Sequence, residues 1–263
     1  MSEARTPTLP RTGTFCWLEL ATQDQPAART FYTALFGWEA VEYPIGEGRT
    51  YTMLRLGGRD AAALYQMSPP NETPDTPPNW LGYIAVENAD ATVKQIADAG
   101  GSVLMGPFDV EQMGRMAVAQ DTTGAAFAVW QPLTHGGAAV MNEPGSLGWM
   151  QLNASDPAKA EAFYTRVFGW GVRRDPMPQG GDYLTFSVGQ VPFAGAMALP
   201  PGLDAPSHWL TYFAVADVDA THAQATSLGA TSYVPPTDIP SLARFAVIGD
   251  PQGAVFAVVK FNL

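Results

Sequence analysis

The chain has 263 residues, of which 46 % are hydrophobic and 15 % are charged, and it carries a formal net charge of −11. Its length and composition suit one large or two medium hydrophobic cores. The acidic balance, without a stripe of Lys and Arg, argues against nucleic acid and against a membrane surface as partners. No apolar run approaches the ~18 residues that a membrane-spanning helix needs.

The chain contains one cysteine, Cys16, so an intramolecular disulfide is excluded. The N-terminal residues lack the apolar segment of a secretory signal. Both features are typical of proteins in a reducing compartment, and we expect a cytoplasmic protein. Cys16 lies in an apolar run, which favours a core position over a reactive thiol.

The first predicted strand is FCWLELAT, whose alternation places Phe15, Trp17 and Glu19 on one face. A helix follows, with Asp24 as its N-cap, a proline in its first turn and Gly37 at its C-terminal end. Three short strands are predicted next, the last two in YTMLRL and AAALYQM. This segment therefore has the order βαβββ.

The same order of elements recurs immediately. LGYIAVE predicts a strand, NADATVKQIADAG a helix, and SVLMGPFDV, RMAVAQ and AAFAVW three further strands. The tetrapeptide DTTG supplies a turn before the last strand. One βαβββ unit is too small to bury its own sheet face, so we expect two such units to pair into one domain.

The whole series then repeats along the chain. FYTALFGW at 31–38 returns as FYTRVFGW at 163–170, with six of the eight positions identical, and GRMAVAQDTTGAAFAV returns as ARFAVIGDPQGAVFAV. We predict two domains, residues 10–132 and 146–263, joined by a Gly-rich linker at 133–145. The predicted fold is α+β, with four βαβββ units paired into two domains that have curved mixed sheets and outer helices.

These features resemble those of a known family. The βαβββ order, the aromatic FYT..FGW helix end and the Asp–Gly turn before the closing strand are similar to those of the vicinal oxygen chelate superfamily. This superfamily includes glyoxalases, bleomycin-resistance proteins and ring-cleaving dioxygenases, and the two-domain layout resembles that of bacterial glyoxalase-like proteins. The resemblance implies the fold but selects no activity, because members range from isomerases and dioxygenases to drug-binding proteins.

The resemblance also implies positions for a divalent metal, the first of them 14 residues before the Phe of the FY pair. In this chain the aligned positions are Trp17, Leu81 and Ala128 in the first domain and Trp149, Leu210 and Ala257 in the second. Tryptophan cannot bind a metal through its ring nitrogen, which is only a hydrogen-bond donor. A metal of this kind needs about three ligands from His, Cys or carboxylate. We therefore predict no metal ligands and no cofactor, with a divalent metal in a shifted site left open.

Polar and aromatic residues near these positions are candidate site residues. Glu19 and His208 are candidate catalytic bases. The structural alternatives for Glu19 are pairing with an arginine such as Arg55 or Arg115, or exposure at a cleft mouth. The alternative for His208 is a histidine at a loop edge. The candidate ligand-binding residues align between the two domains or lie on the predicted concave faces: Trp17, Asn79, Tyr83 and Arg115 in the first domain and Trp149, Gln151, Tyr212 and Arg244 in the second.

The tryptophans and arginines each have a structural alternative as well. Trp17 and Trp149 are able to stack on a flat ligand or to pack in a core, and the sequence leaves both roles open. Arg115 and Arg244 are able to clamp an anionic group, although pairing with a carboxylate is favoured. The aromatic residues of the repeated octapeptide are predicted to pack a helix against a sheet.

Three functions remain open on the sequence. The favoured one is a protein that binds a small aromatic or apolar molecule in concave clefts without the usual metal. The second is a glyoxalase-type lyase or isomerase, or another enzyme of the superfamily, that uses Glu19 or His208 in a shifted site. The third is a protein-interaction role. We expect a small-molecule ligand as partner, and a chain that is either a monomer mimicking a dimer or a homodimer.

Overall fold

The computed structural model describes residues 10–68, 76–178, 180–200, 202 and 204–262. In these residues the order βαβββ occurs four times, as the sequence predicts. The helices are α1 (Gln25–Phe36), α2 (Ala89–Asp98), α3 (Pro157–Phe168) and α4 (Val218–Ser227). No helix of the described residues is both long and apolar enough to span a membrane.

The strands of the first repeat are β1 (Phe15–Thr22), β2 (Glu39–Pro44), β3 (Thr50–Leu56), β4 (Arg59–Gln66), β5 (Asn79–Ala85), β6 (Ser102–Val110), β7 (Gly114–Gln120) and β8 (Ala126–Pro132). Those of the second are β9 (Leu147–Ala154), β10 (Gly171–Pro176), β11 (Asp182–Val188), β12 (Val191–Ala198), β13 (His208–Ala214), β14 (Thr231–Ile239), β15 (Ala243–Gly249) and β16 (Val255–Phe261).

Each repeat forms one eight-stranded mixed sheet. The strand orders are β2-β3-β4-β1-β5-β8-β7-β6 and β10-β11-β12-β9-β13-β16-β15-β14. Within each sheet β1 and β4, β5 and β8, β9 and β12, and β13 and β16 pair in parallel, while the outer strands pair antiparallel. The predicted α+β class with two mixed sheets and four helices is therefore confirmed.

The repeated octapeptide ends a helix in both repeats. The side chains of Asp24 and Asp156 accept hydrogen bonds from backbone N–H groups in the first turns of α1 and α3, which satisfies a donor that the helix leaves open. Gly37 and Gly169 follow these helices in the left-handed conformation, each with φ 68°. A residue with a Cβ is strained there, so glycine stops the helix and returns the chain to the sheet.

The chain divides into two compact units, and each combines one βαβββ segment from each repeat. Unit 1 contains the segment through Trp17, Gly82–Ala139 and Met150–Trp209, and unit 2 contains Leu18–Leu81, Val140–Trp149 and the segment from Leu210 onwards. The predicted division into 10–132 and 146–263 follows the sequence repeat instead, and it remains a prediction.

The core of unit 2 is built around Tyr32. Its hydroxyl accepts a hydrogen bond from Trp80 Nε1 (3.0 Å) and donates one to Asp250 Oδ2 (3.0 Å). Asp250 belongs to the DPQG turn, and its other oxygen accepts from the N–H groups of Gln252 and Ala254. Burial raises the pKa of the Asp250 carboxyl, as it does that of Tyr32. The Asp–Gly turn and the FYT motif are therefore joined in one buried network.

The core of unit 1 is built in the same way around Tyr164. Trp209 Nε1 donates to the Tyr164 hydroxyl (2.8 Å), and the ring of Trp170 stacks on the Tyr164 ring with centroids 4.8 Å apart. Trp170 is 1 % exposed, and its Nε1 donates to the carbonyl of Gly13 (2.7 Å). The prediction that the octapeptide packs helix against sheet is confirmed in both units.

Candidate functional site

The positions aligned with the family's metal ligands carry no donor atoms. Ala128 lies beside Tyr83 on paired strands, and Ala257 lies beside Tyr212 in the same way. Both alanines are fully buried. Over the described ranges, no three His, Cys, Asp or Glu residues come close enough together to hold a metal ion. The residues present therefore do not fit the family's divalent metal, since such an ion needs about three ligands of these types.

Unit 2 presents an apolar face around Trp149, which we call the Trp149 face. It consists of Trp149, Leu210, Tyr212, Ala243, Phe245, Val247, Ala257, Val259 and Phe261. Trp149, Phe245 and Phe261 are only partly buried. The rings of Trp149 and Phe261 lie edge to face at 6.3 Å, and those of Tyr212 and Phe245 are also 6.3 Å apart.

Strand register explains why these side chains share one face. Tyr212 on β13 pairs with Ala257 on β16, and Ala257 pairs with Val247 on β15. Side chains of paired residues point to the same side of a sheet. The small Ala257 therefore lies between larger neighbours, and the partly buried rings of Trp149, Phe245 and Phe261 pack against the same cluster. Such a surface offers apolar area and π-faces to a flat molecule.

Unit 1 has a counterpart, the Trp17 face, which the linker covers. It contains Trp17, Tyr83 and Trp130, with Tyr83 and Trp130 at 6.4 Å. The ring of His135, from the linker, meets Trp17 edge to face at 4.8 Å, and Trp130 Nε1 donates to the His135 carbonyl (2.9 Å). Trp17 is only 4 % exposed as a result.

Backbone hydrogen bonds hold this covering segment in place. The N–H groups of Leu133 and His135 donate to the Met113 carbonyl at 2.9 and 3.1 Å, and the N–H of Ala138 donates to the Cys16 carbonyl at 2.7 Å. On the Trp149 face, by contrast, one ring in contact with Trp149 is Phe261, which belongs to the sheet itself. The two repeats therefore differ at the same sequence position: Trp17 is buried beneath the linker, whereas Trp149 is partly buried.

The polar candidates of the first repeat lie in unit 2. The Tyr51 hydroxyl donates to Glu19 Oε2 at 3.3 Å, and Glu19 is partly buried. Asn79 is exposed, and its Nδ2 donates to the carbonyl of Pro77 (3.1 Å). Glu19 thus lies beside the hydroxyl group of Tyr51, whereas the side chain of Asn79 forms a hydrogen bond with the backbone just before its own strand.

The polar candidates of the second repeat lie in unit 1 and form a chain of hydrogen bonds. Tyr183 donates to Gln151 Oε1 (3.4 Å), and Gln151 Nε2 donates to Asn153 Oδ1 (3.0 Å). Asn153 Nδ2 lies 3.1 Å from His208 Nε2. The predicted residues Gln151 and His208 are therefore brought together, through Asn153, which the sequence reasoning did not single out.

The two aligned arginines are held by carboxylates. Arg115 donates to both oxygens of Asp90 and to Asp109. Arg244 makes the equivalent bonds to Asp219 and Asp238. In each case hydrogen bonds to the two aspartates raise the pKa of the guanidinium. Each guanidinium therefore joins a helix start to a strand hairpin, and a role of these arginines in binding a ligand stays a prediction.

The thiol of Cys16 is expected to be unreactive in the folded protein. It is 1 % exposed, and burial raises the pKa of its thiol to about 12. At pH 8 roughly one thiol in ten thousand would then be ionised, and the thiolate is the reactive form. We expect no alkylation by iodoacetamide over an hour in buffer and complete alkylation in guanidinium chloride, measured by intact mass. Rapid labelling of the folded protein would contradict this placement.

Comparison with known proteins agrees with the fold and its repeats. The family model described as Glyoxalase/Bleomycin resistance protein/Dioxygenase superfamily matches residues 14–129 and again 146–258. The chain belongs to this superfamily. A Mycobacterium bovis relative named "Putative glyoxylase CFP32" is 43 % identical over 251 residues, covering 95 % of each chain. A Streptomyces peucetius relative named "Anthracycline biosynthesis protein DnrV" is 37 % identical over 260 residues, covering 95 % of this chain and 94 % of its own.

Solved structures of the superfamily share the fold of this member. The Mn(II)-bound glyoxalase from Novosphingobium aromaticivorans superposes with a TM-score of 0.65 at 16 % identity, covering 95 % of this chain and 83 % of its own. The 2,3-dioxygenase LapB from Pseudomonas sp. KL28 superposes with a TM-score of 0.64 at 14 % identity, covering 96 % of each chain. At these identities the likeness concerns the fold alone.

Proposed function

We propose that this superfamily member binds a small, flat, aromatic or apolar organic molecule on the Trp149 face, without the metal that other members use. The observation that supports the proposal best is the difference in burial between Trp149 and the aligned Trp17. Trp149 stands partly exposed among Phe245 and Phe261, whereas Trp17 at the aligned position is covered by the linker. Partly exposed aromatic residues around a small alanine are suited to a planar ring.

The relatives suggest the chemical class of the ligand. Two Streptomyces proteins, at 37 % and 36 % identity, are named for anthracycline biosynthesis, and each alignment covers 94 % of the relative. An anthracycline contains a planar aromatic polyketide ring system, whose flat faces match the aromatic side chains of the Trp149 face. We therefore propose aromatic polyketides, or metabolites of similar shape, as the ligand class.

The experiment is a fluorescence titration with an anthracycline, using protein dialysed against EDTA and protein supplied with Zn²⁺, Ni²⁺, Mn²⁺ or Fe²⁺. The expected result is saturable binding with dissociation constants that agree within twofold, because the site uses no metal. The same complex should raise the Tm in a thermal unfolding experiment by mass action. Binding that appears only after a metal is added, or no saturable binding up to the solubility limit, would contradict the proposal.

A second candidate function is a glyoxalase-type lyase or isomerase, and Glu19 favours it. This carboxylate is partly buried and accepts a hydrogen bond from Tyr51, an arrangement that a general base can use. His208 is a weaker candidate, because its Nε2 is engaged by Asn153. Turnover that is lost in Glu19→Gln while ligand binding is kept would favour this function. Unchanged turnover in that variant would remove Glu19 from the chemistry.

A further inference from the structure

Four side chains of unit 1 form a continuous relay of hydrogen bonds. It runs from the Tyr183 hydroxyl to Gln151 (3.4 Å), on to Asn153 (3.0 Å) and then to His208 Nε2 (3.1 Å). The other ring nitrogen, His208 Nδ1, lies 2.9 Å from the carbonyl oxygen of Pro206. We call this set the Tyr183–His208 relay.

The direction of the hydrogen bonds in the relay is argued from the contact between His208 and the Pro206 carbonyl. A carbonyl oxygen only accepts, so His208 Nδ1 carries the hydrogen that bonds Pro206. Where Asn153 Nδ2 donates to it, His208 Nε2 is the acceptor, an arrangement that matches the Nδ1–H tautomer. Asn153 then presents its Oδ1 to Gln151, and Gln151 presents its Oε1 to Tyr183. The orientations of both amides and the Nδ1–H tautomer of His208 are therefore mutually consistent.

The middle of this relay, at Asn153, distinguishes the second repeat from the first. Asn153 is 5 % exposed, and a buried amide is costly to place in a sheet unless its hydrogen bonds are made. The first repeat has the apolar Ala21 at the position of Asn153, Glu19 at that of Gln151 and Asn79 at that of His208. The first repeat keeps the counterpart of the first bond, from Tyr51 to Glu19, but has an alanine where the buried Asn153 links Gln151 to His208.

A glycine makes room for the first member of the relay. A Cβ built at Gly195 would overlap the ring and hydroxyl of Tyr183. Gly195 pairs with Gln151 on the neighbouring strand, so Tyr183 can lie across the backbone beside the Gln151 amide. The aligned residue in the first repeat is Ala63, which pairs with Glu19.

We propose that the Tyr183–His208 relay is a polar subsite that takes the carbonyl oxygen of a ketone or quinone ligand, with His208 as a positioning residue. The Nε2 of Gln151 carries two hydrogens, and the relay uses one of them. Gln151 is partly exposed, and we assign its second N–H to a ligand's acceptor atom. His208 acts through Asn153 by keeping the Gln151 amide from flipping. This inference rests on the proposed function for the class of ligand.

The first test reads the tautomer of His208 directly. In ¹⁵N-labelled protein at pH 7.5, long-range ¹H–¹⁵N spectra assign the three histidines with the help of His135→Gln and His222→Gln variants. The expected spectrum shows His208 as a neutral ring with the hydrogen on Nδ1. In Asn153→Ala that signature should give way to tautomer averaging, while His222 is unchanged. An Nε2–H or doubly protonated ring in the parent protein would overturn the assignment.

The second test compares 1-tetralone with tetralin, which has the same ring system without the carbonyl. The expected preference for 1-tetralone is roughly fivefold, the effect of about one net hydrogen bond. Gln151→Glu should abolish the preference, because its carboxylate repels a carbonyl oxygen. The control Gln190→Glu adds the same charge at an exposed turn of the same unit and should keep the preference.

Spectra recorded during the same titration separate the two proposals. The side-chain amide signal of Gln151 should shift with 1-tetralone and stay in place with tetralin, whereas the indole signal of Trp149 reports the apolar face. A Gln151 shift without a Trp149 shift would contradict the proposed function and leave the relay subsite standing. An unmoved Gln151 amide, or an equal preference in Gln151→Glu, would overturn the subsite.

Discussion

Replacing Trp170 with alanine is expected to lower the free energy of unfolding by about 3–5 kcal/mol, the usual range for a large aromatic side chain removed from a core. Trp170 is 1 % exposed, stacks on Tyr164 and meets Phe193 edge to face at 4.9 Å. Its Nε1 also donates to the Gly13 carbonyl. The substitution would therefore leave a large cavity and a carbonyl without its donor.

Urea unfolding followed by circular dichroism measures this loss. The matched control is Trp149→Ala, which removes the same side chain from a position that is partly exposed. We expect that control to lose less than half as much stability as Trp170→Ala. Equal losses would mean that Trp149 is a core residue, and the Trp149 face would then not be a free surface.

The Trp149→Ala variant is expected to bind an anthracycline about 10- to 100-fold more weakly than the parent protein. An aromatic residue that anchors a ligand commonly contributes about 2 kcal/mol or more when it is truncated, and each 1.4 kcal/mol is tenfold in affinity. Trp149 supplies the largest ring of its face and borders Phe261. Loss of its π-surface should raise the dissociation constant through a faster off-rate.

The control for this prediction is the aligned substitution in the first repeat. Trp17→Ala should keep the affinity within twofold, because the linker covers the Trp17 face. It should nevertheless lower the stability, since Trp17 is 4 % exposed. An affinity that falls in Trp17→Ala and holds in Trp149→Ala would reverse the proposed assignment of the two faces.

The sequence predicted the fold because its signals are local. The alternation in FCWLELAT, the N-cap Asp24 and the stop at Gly37 each act within a few residues, and the structure has all three. The repeated octapeptide aligned the two halves and identified Trp17 and Trp149 as equivalent positions. Local rules of strand and helix formation were therefore enough to place the elements.

The site was harder to predict because its contacts join distant segments. Gln151 meets Tyr183 only through the register of three strands, and the link to His208 passes through Asn153. Strand alternation places Asn153 on the same face as Gln151, and this was the available signal. The contact of His135 with Trp17 had no such signal, since a Gly-rich linker has no periodicity that fixes where it lies.

We propose that the ligand lies on the Trp149 face and not on the Trp17 face. The most direct test is a ¹H–¹⁵N titration that follows the indole N–H signals of the seven tryptophans, assigned by single substitutions to phenylalanine, as an anthracycline is added. We expect the Trp149 signal to shift in a saturable way and the Trp17 signal to stay in place. A saturable shift of Trp17 with an unmoved Trp149 would contradict it.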